Sequence, residues 1–519
     1  MNTLDPILVV LALATFGCWG GDHSHDALDG GSDADGDGDS DADADTDTDT
    51  DTDTDTDTDT DTDTSTPTLV CMGNKFIGMP ADIPPLSVCT KISGRLKITC
   101  HTCTDLLGLE GLTEVTDDLI VEWNPLLASL ENLSGLERVG KDFDIRWNDL
   151  PDDLSGLENL IEVGGRLRVE QNAGLLDLAG LDSLAWIGGD LVISADTSLV
   201  SLDGIPALTA IGGDLMLDYL PLETLSGLEA LASFGSGIGI TRMPWLTTLD
   251  GLTPPPVLSG PLTLTQNPSL VDLSALSALT EVHGIIRLGP NASLSDLSGF
   301  ANLDQVVGGS LLISGHTLLA SLAGFDSLES IWGNLTISGN QALAVLDGFP
   351  ALTEVQGSLI VYDNDALLSL STPPNLTFLG DDFSVHDSPA LASVAWSGPQ
   401  PTYIGALSFQ NDPALVEITG LAGVPHVVGS VHVIGTALTG FDWLAGVEDI
   451  DSWLMIEDNP LLADLDGLGN LAALGPNLRV TGNTQLPTCE AEALQQQLED
   501  LGWSGTVEIS DNWDAGTCD

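Results

Sequence analysis

The sequence has few basic residues. Its 519 residues include 12 Lys and Arg against 78 Asp and Glu, which gives a formal net charge of −66. A field of this sign repels nucleic acids and anionic membrane surfaces, so both are excluded as partners. Charged residues of either sign make up 17% of the chain, whereas apolar residues make up 43%. The chain therefore has ample apolar material to bury.

The sequence also lacks a long apolar run at its N-terminus. The run at residues 7–14, ILVVLALA, has eight residues, whereas a membrane-spanning helix needs about 20. It predicts the core of a signal peptide, within a leader of residues 1–18. Gly17 and Cys18 after this run resemble a bacterial lipobox, whose Cys is lipidated. No Lys or Arg precedes the run and Thr15 replaces the usual Leu, so signal cleavage without a lipid is the alternative.

Residues 19–70 are predicted to be a disordered, acidic tether. Every odd position from Asp33 to Asp63 is Asp, and Thr fills most of the even positions. Such a segment cannot collapse into a core, and repulsion between its carboxylates keeps it extended. At about 3.3 Å per residue the run reaches up to roughly 100 Å. Its first seven residues, DADGDGD, resemble part of an EF-hand loop, but Ala44 stands where that loop needs Glu. We therefore predict no specific metal site.

The rest of the chain is built from repeats. In LRVEQNAGLLDLAGLDSLAWI at 167–187, apolar residues stand at offsets 0, 2, 8, 11, 14, 17 and 20, and Gly188-Gly189 closes the unit. The next unit starts at Leu191, 24 residues after Leu167. Repeats of this length predict a solenoid rather than several globular domains. Strands are predicted to start at Leu96, Leu119, Phe143, Leu167, Leu191, Leu215, Ile238, Leu262, Ile286, Leu311, Leu335, Leu359, Phe383, Leu407, Val431, Leu454 and Leu478.

An Asn recurs at offset 5 of most units. The column contains Asn124, Asn148, Asn172, Asn267, Asn291, Asn340, Asn364, Asn459 and Asn483, with Asp196 and His316 as variants. A buried amide at a turn must bond to backbone groups, and identical amides on successive turns can support this pairing. We predict that the column is structural and is not a binding site.

Six cysteines lie at the two ends of the repeats. They are Cys71, Cys89, Cys100 and Cys103 at the start, and Cys489 and Cys518 at the end. Behind a leader, this placement predicts disulfides formed in an oxidising compartment. For Cys100 and Cys103 a disulfide, buried thiols and a redox pair all remain open. Leu494, Leu498 and Leu501 have helical spacing, so residues 489–519 are predicted to form a helix within a disulfide-closed cap.

The start of the repeats carries a further pattern. It consists of Cys71-Met-Gly-Asn-Lys, then Val88-Cys89 and the strand ISGRLKIT at 92–99. This resembles the opening of a receptor L domain, the leucine-rich ligand-binding module of insulin-receptor and epidermal-growth-factor-receptor ectodomains. The resemblance implies a Cys71–Cys89 disulfide sealing a cap of residues 71–95. We predict a mainly β fold in which residues 96–488 form a right-handed parallel β-solenoid of leucine-rich repeats, about 24 residues each, between disulfide caps.

The outward strand positions, offsets 1, 3 and 4, distinguish the early turns from the others. They are small or bland in most turns, but the early turns carry Glu122, Trp123, Arg146, Trp147, Arg168 and Glu170. Nine of the twelve basic residues also lie early, at Lys75, Lys91, Arg95, Lys97, Arg138, Lys141, Arg146, Arg166 and Arg168. Exposed Trp and Arg dominate many binding hot spots. We predict that this patch binds a surface protein or a glycan. The alternative is a salt-bridge ladder with the Trp rings packed sideways and no ligand.

These features predict a monomeric binding or adhesion protein, secreted or anchored on the outer side of a bacterial envelope. It needs no cofactor, and it meets a membrane only through a lipid on Cys18. One alternative is a stiff envelope spacer without a ligand. Another is a β-helix enzyme acting on polysaccharides, with Asp144, Arg146, Arg168 and Glu170 as its site. No Ser-His-Asp, zinc or phosphate motif is visible, so we predict no enzymatic activity.

Overall fold

Residues 69–150 and 152–514, which the computed structural model describes, form a leucine-rich-repeat-like, all-parallel β-solenoid. The predicted leader, with Cys18, and residues 19–68 of the predicted tether lie outside the described residues. Each turn contributes one strand to a long parallel ladder, which we call the front sheet. The prediction of a mainly β solenoid with turns of about 24 residues is confirmed.

The front sheet contains, in chain order, Lys75–Ile77, Leu96–Ile98, Leu119–Glu122, Phe143–Arg146, Leu167–Glu170, Leu191–Ser194, Leu215–Asp218, Ile238–Thr241, Leu262–Thr265, Ile286–Leu288, Leu311–Ser314, Leu335–Ser338, Leu359–Tyr362, Phe383–His386, Leu407–Gln410, Val431–Ile434, Trp453–Glu457, Asn477–Thr481 and Thr506–Ser510. Equivalent offsets stand opposite one another, as Leu167 stands opposite Leu191. The predicted strand starts agree with the structure, except that the strands at Leu454 and Leu478 begin one residue earlier.

The return segments of the turns form four smaller parallel sheets. The first contains Val70–Met72, Lys91–Ser93, Glu114–Val115, Arg138–Val139, Glu162–Val163, Trp186–Ile187, Ala210–Ile211 and Ser233–Phe234. The second contains Val257–Leu258, Glu281–His283, Gln305–Val307, Ser330–Ile331, Glu354–Val355 and Phe378–Leu379. The third contains Ser369–Ser371, Ser393–Ala395 and Glu417–Thr419, and the fourth contains His426–Val427, Asp449–Ile450 and Ala473–Leu474.

Helices are short apart from one near the C-terminus. The 3-10 helices are Pro80–Asp82, Pro84–Leu86, Glu131–Leu133, Ser274–Ala278, Ser298–Phe300, Asp442–Leu444 and Asp466–Leu468. The α-helix Thr488–Asp500 buries Ala491, Leu494 and Leu498. Thr506–Ser510 follows it and adds the last strand to the front sheet.

The Leu offsets form the core. In the unit 167–187, all seven apolar offset positions are at most 1% exposed. Burial of one such aliphatic side chain is worth about 1.5–3 kcal/mol. The Gly-Gly corner lets successive turns approach closely, because a Cβ on Gly188 would lie 2.1 Å from the Gly164 carbonyl oxygen. One continuous core therefore runs from Ile77 to Leu498.

The Asn column is structural, as predicted. The Asn148 Nδ2 donates to the Val121 carbonyl at 2.9 Å and to the Asn172 Oδ1 at 3.1 Å. The Asn148 Oδ1 accepts from the backbone N–H and the Nδ2 of Asn124, at 3.2 and 2.9 Å. Asn148 thus satisfies backbone groups of the preceding turn and bonds to the amides of both neighbouring turns.

Two carboxylates replace amides in this column. Asp196 and Asp412 are fully buried, and in each the Oδ2 has no hydrogen-bond partner among the described residues. Burial raises the pKa of both carboxyl groups to about 7. A protonated carboxylic acid has nearly the shape of an amide, so the neutral form fits this column better than the charged one.

Disulfides lie at the start of the rod. Cys71 bonds to Cys89, with the Cα atoms 5.7 Å apart, as the receptor L-domain resemblance implied. Cys100 bonds to Cys103, with a Cα separation of 5.4 Å, so of the three alternatives for this pair the structure shows a disulfide and not buried thiols. Cys489 is also disulfide-bonded, and its expected partner Cys518 lies outside the described residues.

Candidate functional site

The centre of the predicted patch is an ion network around Glu122. This carboxylate is 6% exposed. It contacts the Lys97 Nζ at 2.7 Å and the Arg146 Nη2 at 2.8 Å, from the turns before and after it. Burial on its own would raise the pKa of Glu122, but the two cations lower it below the ordinary value. Glu122 therefore stays ionised and holds Arg146 in place.

Asp144 lies beside this network, opposite Ile120 and Arg168 in the ladder. It is 6% exposed. The Arg146 Nη2 and the Arg166 Nη2 each approach a different Asp144 oxygen, both at 3.8 Å. Burial raises the pKa of Asp144, although Arg146, Arg168 and Arg166 oppose this shift.

Arg168 and Glu170 lie on the next turn and are less tightly paired. The Arg168 Nη1 lies 3.9 Å from the Glu170 Oε2. Both side chains are about one quarter exposed, at 25% and 24%. The predicted cations are therefore each accompanied by a carboxylate, and the pairing loosens from Glu122 towards Glu170.

The two predicted Trp residues stack on one another. Their ring centroids are 4.9 Å apart and the ring planes differ by 20°. The Arg146 guanidinium lies 4.7 Å from the Trp147 ring centroid, a cation–π distance. Trp123 is 50% exposed, and Trp147 is partly buried. The ion network below thus fixes an aromatic pair whose outer member faces solvent.

Both Trp residues have left-handed backbone conformations, with φ of 55° at Trp123 and 54° at Trp147. The left-handed region costs an ordinary L-residue about 1–2 kcal/mol, and Gly, Asn and Asp are the residues that adopt it readily. Offset 4 of the turn, where the front strand ends, has this conformation along most of the rod. We call this set of positions the left-handed column.

The left-handed column changes composition along the rod. In seven consecutive early turns it contains Trp123, Trp147, Gln171, Ala195, Tyr219, Arg242 and Gln266, none of which is Gly, Asn or Asp. In nine later turns it contains Gly315, Gly339, Asp363, Asp387, Asn411, Gly435, Asp458, Gly482 and Asp511. The later residues suit the backbone, whereas the early residues do not. Strain that recurs at exposed positions is typical of functional surfaces.

Sequence reasoning found the first members of the early column and missed Arg242 and Gln266. Arg242 forms an ion pair with Asp218 across adjacent turns. The signal for these positions was the change at offset 4 from large or amide residues to Gly, Asp and Asn. Strict alternation along a strand would place offset 4 inward with the buried offsets 0 and 2. The exposed side chains at offset 4 depart from this alternation, and the left-handed backbone that accompanies the departure is not visible in the sequence.

No model of a known protein family matches the chain, and no curated protein is similar to it. Solved structures that are similar include an internalin from Listeria monocytogenes, which is 16% identical over 64% of this chain and 83% of that one, with a TM-score of 0.32. Another is a leucine-rich-repeat protein from Leptospira interrogans, which is 13% identical over 73% of this chain and 91% of that one, with a TM-score of 0.28. At these scores neither structure indicates what this chain binds.

Proposed function

We propose that the chain is a binding or adhesion protein whose early turns bind a surface protein or a glycan. The observation that carries this proposal is the Trp123–Trp147 stack, whose outer ring is exposed and whose backbone is left-handed, beside an ion network around the buried Glu122. The ring stack and the Arg146 contact stabilise the fold to some extent, but Gly would fit these left-handed positions without strain. A ligand that contacts the rings supplies a reason for both residues.

The proposal places the rod outside the cell, at the end of an acidic tether. Its support is the signal-peptide-like run, the Cys18 lipobox pattern and the disulfides Cys71–Cys89 and Cys100–Cys103. Within the described part of the chain, no helix is long and apolar enough to cross a membrane. The domains that we propose are the leader 1–18, the tether 19–70, the caps 71–95 and 489–519, and the solenoid 96–488.

The proposal assigns the rod binding and no catalysis. The cations of the polysaccharide-enzyme alternative, Arg146 and Arg168, each lie against a carboxylate of the same network. A carboxylate beside a cation offsets part of its charge and so weakens it as an electrostatic stabiliser for a reaction. A rod without any ligand remains the competing function, and it predicts that the Trp pair has no effect on binding.

The test is a pull-down from bacterial envelope material with the full chain and with the Trp123→Ala/Trp147→Ala variant. A matched control is Trp245→Ala/Trp332→Ala, which removes two exposed rings from other positions of the rod, at 61% and 55% exposure. We expect the first variant to lose at least tenfold in affinity and the control to retain it. Equal binding by all three proteins, or binding by none, would contradict the proposed function.

A further inference from the structure

The early left-handed column, from Trp123 to Gln266, is an exposed row of side chains along the rod. Trp123, Gln171, Tyr219, Arg242 and Gln266 are all exposed. Adjacent parallel strands are about 4.8 Å apart, so the seven turns present a row on the order of 29 Å long. A row of this length with one side chain per turn matches a linear ligand better than a compact one.

The row offers unused hydrogen-bonding groups. Within the described residues, the side-chain amides of Gln171 and Gln266 and the hydroxyl of Tyr219 have no hydrogen-bond partner. Amides and a phenol both donate and accept, which suits the hydroxyl groups of a sugar. At one end, Trp147 covers one face of the Trp123 ring. The preceding position in the column, Cys100, is fully buried in a disulfide, so no side chain of that turn continues the stack.

The row carries almost no free charge, although the chain as a whole has a net charge of −66. Its one cation, Arg242, is paired with Asp218. Arg146, which lies against the Trp147 ring, is paired with Glu122. A polyanion is repelled by the whole chain, and a polycation finds no unpaired carboxylate in the row itself. Charge therefore favours a neutral ligand.

Spacing separates a glycan from a peptide. An extended peptide advances about 3.3 Å per residue, or about 6.6 Å per pair of residues facing the same side, and neither value matches a turn spacing of about 4.8 Å. A sugar ring in an extended chain advances by close to one turn spacing. One sugar unit can therefore lie beside each turn, with Trp123 at one end and Gln266 at the other.

We propose that the early left-handed column binds a linear, uncharged glycan laid along the rod axis, with about one sugar unit per turn. This proposal rests on the proposed binding function and extends it from the Trp pair to Tyr219 and Gln266. The left-handed backbone makes a clean test available. Replacement of either residue by Gly removes the side chain and relieves backbone strain, so the variant folds at least as stably as the parent.

The experiment measures binding of the full chain to glycans released from bacterial envelope material and separated by anion exchange into neutral and acidic fractions. Tyr219→Gly and Gln266→Gly are compared with Asp363→Gly, a control at the same offset in the later turns. We expect binding to the neutral fraction, weakened at least tenfold by each of the first two changes and unaltered by the control. Thermal unfolding of all variants checks that the fold is intact.

Several outcomes would overturn this inference and leave the proposed function standing. One is envelope binding that needs the Trp pair, survives periodate oxidation and is lost after protease treatment, which identifies a protein ligand. Others are preferential binding to the acidic fraction, and unchanged binding by Tyr219→Gly and Gln266→Gly while the Trp variant fails. Absence of binding to either glycan fraction also overturns the inference. By contrast, absence of any binding by the full chain to intact envelope material counts against the proposed function itself.

Discussion

The early turns, up to Gln266, and the later turns, from Gly315, share one backbone but differ at one exposed position. The left-handed column contains Gly, Asp or Asn in every one of its nine later positions and in none of its seven early ones. The buried Asn column shows no such division, since amides occupy it in both halves. Folding therefore keeps buried amides in the Asn column of both halves, and the proposed binding function would act as a second requirement on the left-handed column of the early half.

The two halves also differ in charge. Cations lie beside the carboxylates of the early front sheet, as Lys97 and Arg146 lie beside Glu122. Near the other end, Glu457 and Glu508 share one cation, Arg479. The early half combines strained exposed side chains with paired charges, and the proposed function gives a reason for this combination.

The largest expected effect tests whether the buried carboxylates of the Asn column have the same energetic cost in both halves. Asp196 lies in the early half and Asp412 in the later half, and burial raises the pKa of each to about 7. Below about pH 4 both the folded and unfolded states hold the proton, so the carboxyl group has no pH-dependent effect. Between about pH 4 and 7 the unfolded state ionises first, and stability falls by about 1.4 kcal/mol per pH unit for each group.

We therefore expect Asp196→Asn and Asp412→Asn each to stabilise the rod by up to about 4 kcal/mol at pH 8 and by little at pH 4. The new amide also gains a donor for a carbonyl of the preceding turn, equivalent to the Ile145 carbonyl that accepts from Asn172. Urea unfolding at the two pH values measures this. A gain in one half only, or a gain that does not depend on pH, would show that the two carboxylates are not equivalent buried acids.

A smaller effect tests the backbone strain in the left-handed column. Ala195 has φ of 55° in the early half, and Gly339 has φ of 64° in the later half. A Cβ on Gly339 would have no neighbour closer than 3.5 Å, so backbone strain alone opposes a side chain there. We expect Ala195→Gly to stabilise the rod and Gly339→Ala to destabilise it, each by about 1 kcal/mol. Thermal unfolding of the two variants should shift in opposite directions, and shifts of the same sign would refute the strain argument.

Most of the fold could be predicted from the sequence because apolar spacing decides which side of a turn faces inward. Leu167 to Ile187 show this spacing without interruption. Asp412 escaped notice because its neighbours in the column are Ser388 and Thr436, which hide the amide pattern. The Cys100–Cys103 pairing could not be decided, since spacing alone fits a thiol pair or a disulfide. At the candidate site, the sequence showed the residues but not their left-handed backbone. Gly, Asn and Asp usually indicate this conformation, and none of them occupies offset 4 of the early turns.

The last comparison concerns two carboxylates at offset 3, Glu122 and Glu457. Burial would raise the pKa of both. Lys97 and Arg146 lower that of Glu122, whereas Glu457 has one cation, Arg479, and its pKa stays raised. A lowered pKa means that the ionised group stabilises the fold above the unfolded value of about 4.3, and that this contribution is lost as the pH falls. A raised pKa has the opposite sign, and ionisation of Glu457 at neutral pH works against folding.

We expect Glu122→Gln to destabilise the rod by about 1–2 kcal/mol at pH 7, because it leaves two cations short of a partner, and by less as the pH falls below about 4. Glu457→Gln should leave stability at pH 7 unchanged or raise it slightly. A neutral amide avoids the cost of burying a charge whose only cation, Arg479, is shared with Glu508. Urea unfolding at pH 7 and pH 3 measures both. If the two variants change stability alike, the early front sheet is not electrostatically distinct from the later one. The difference between the early and later turns then rests on the left-handed column alone.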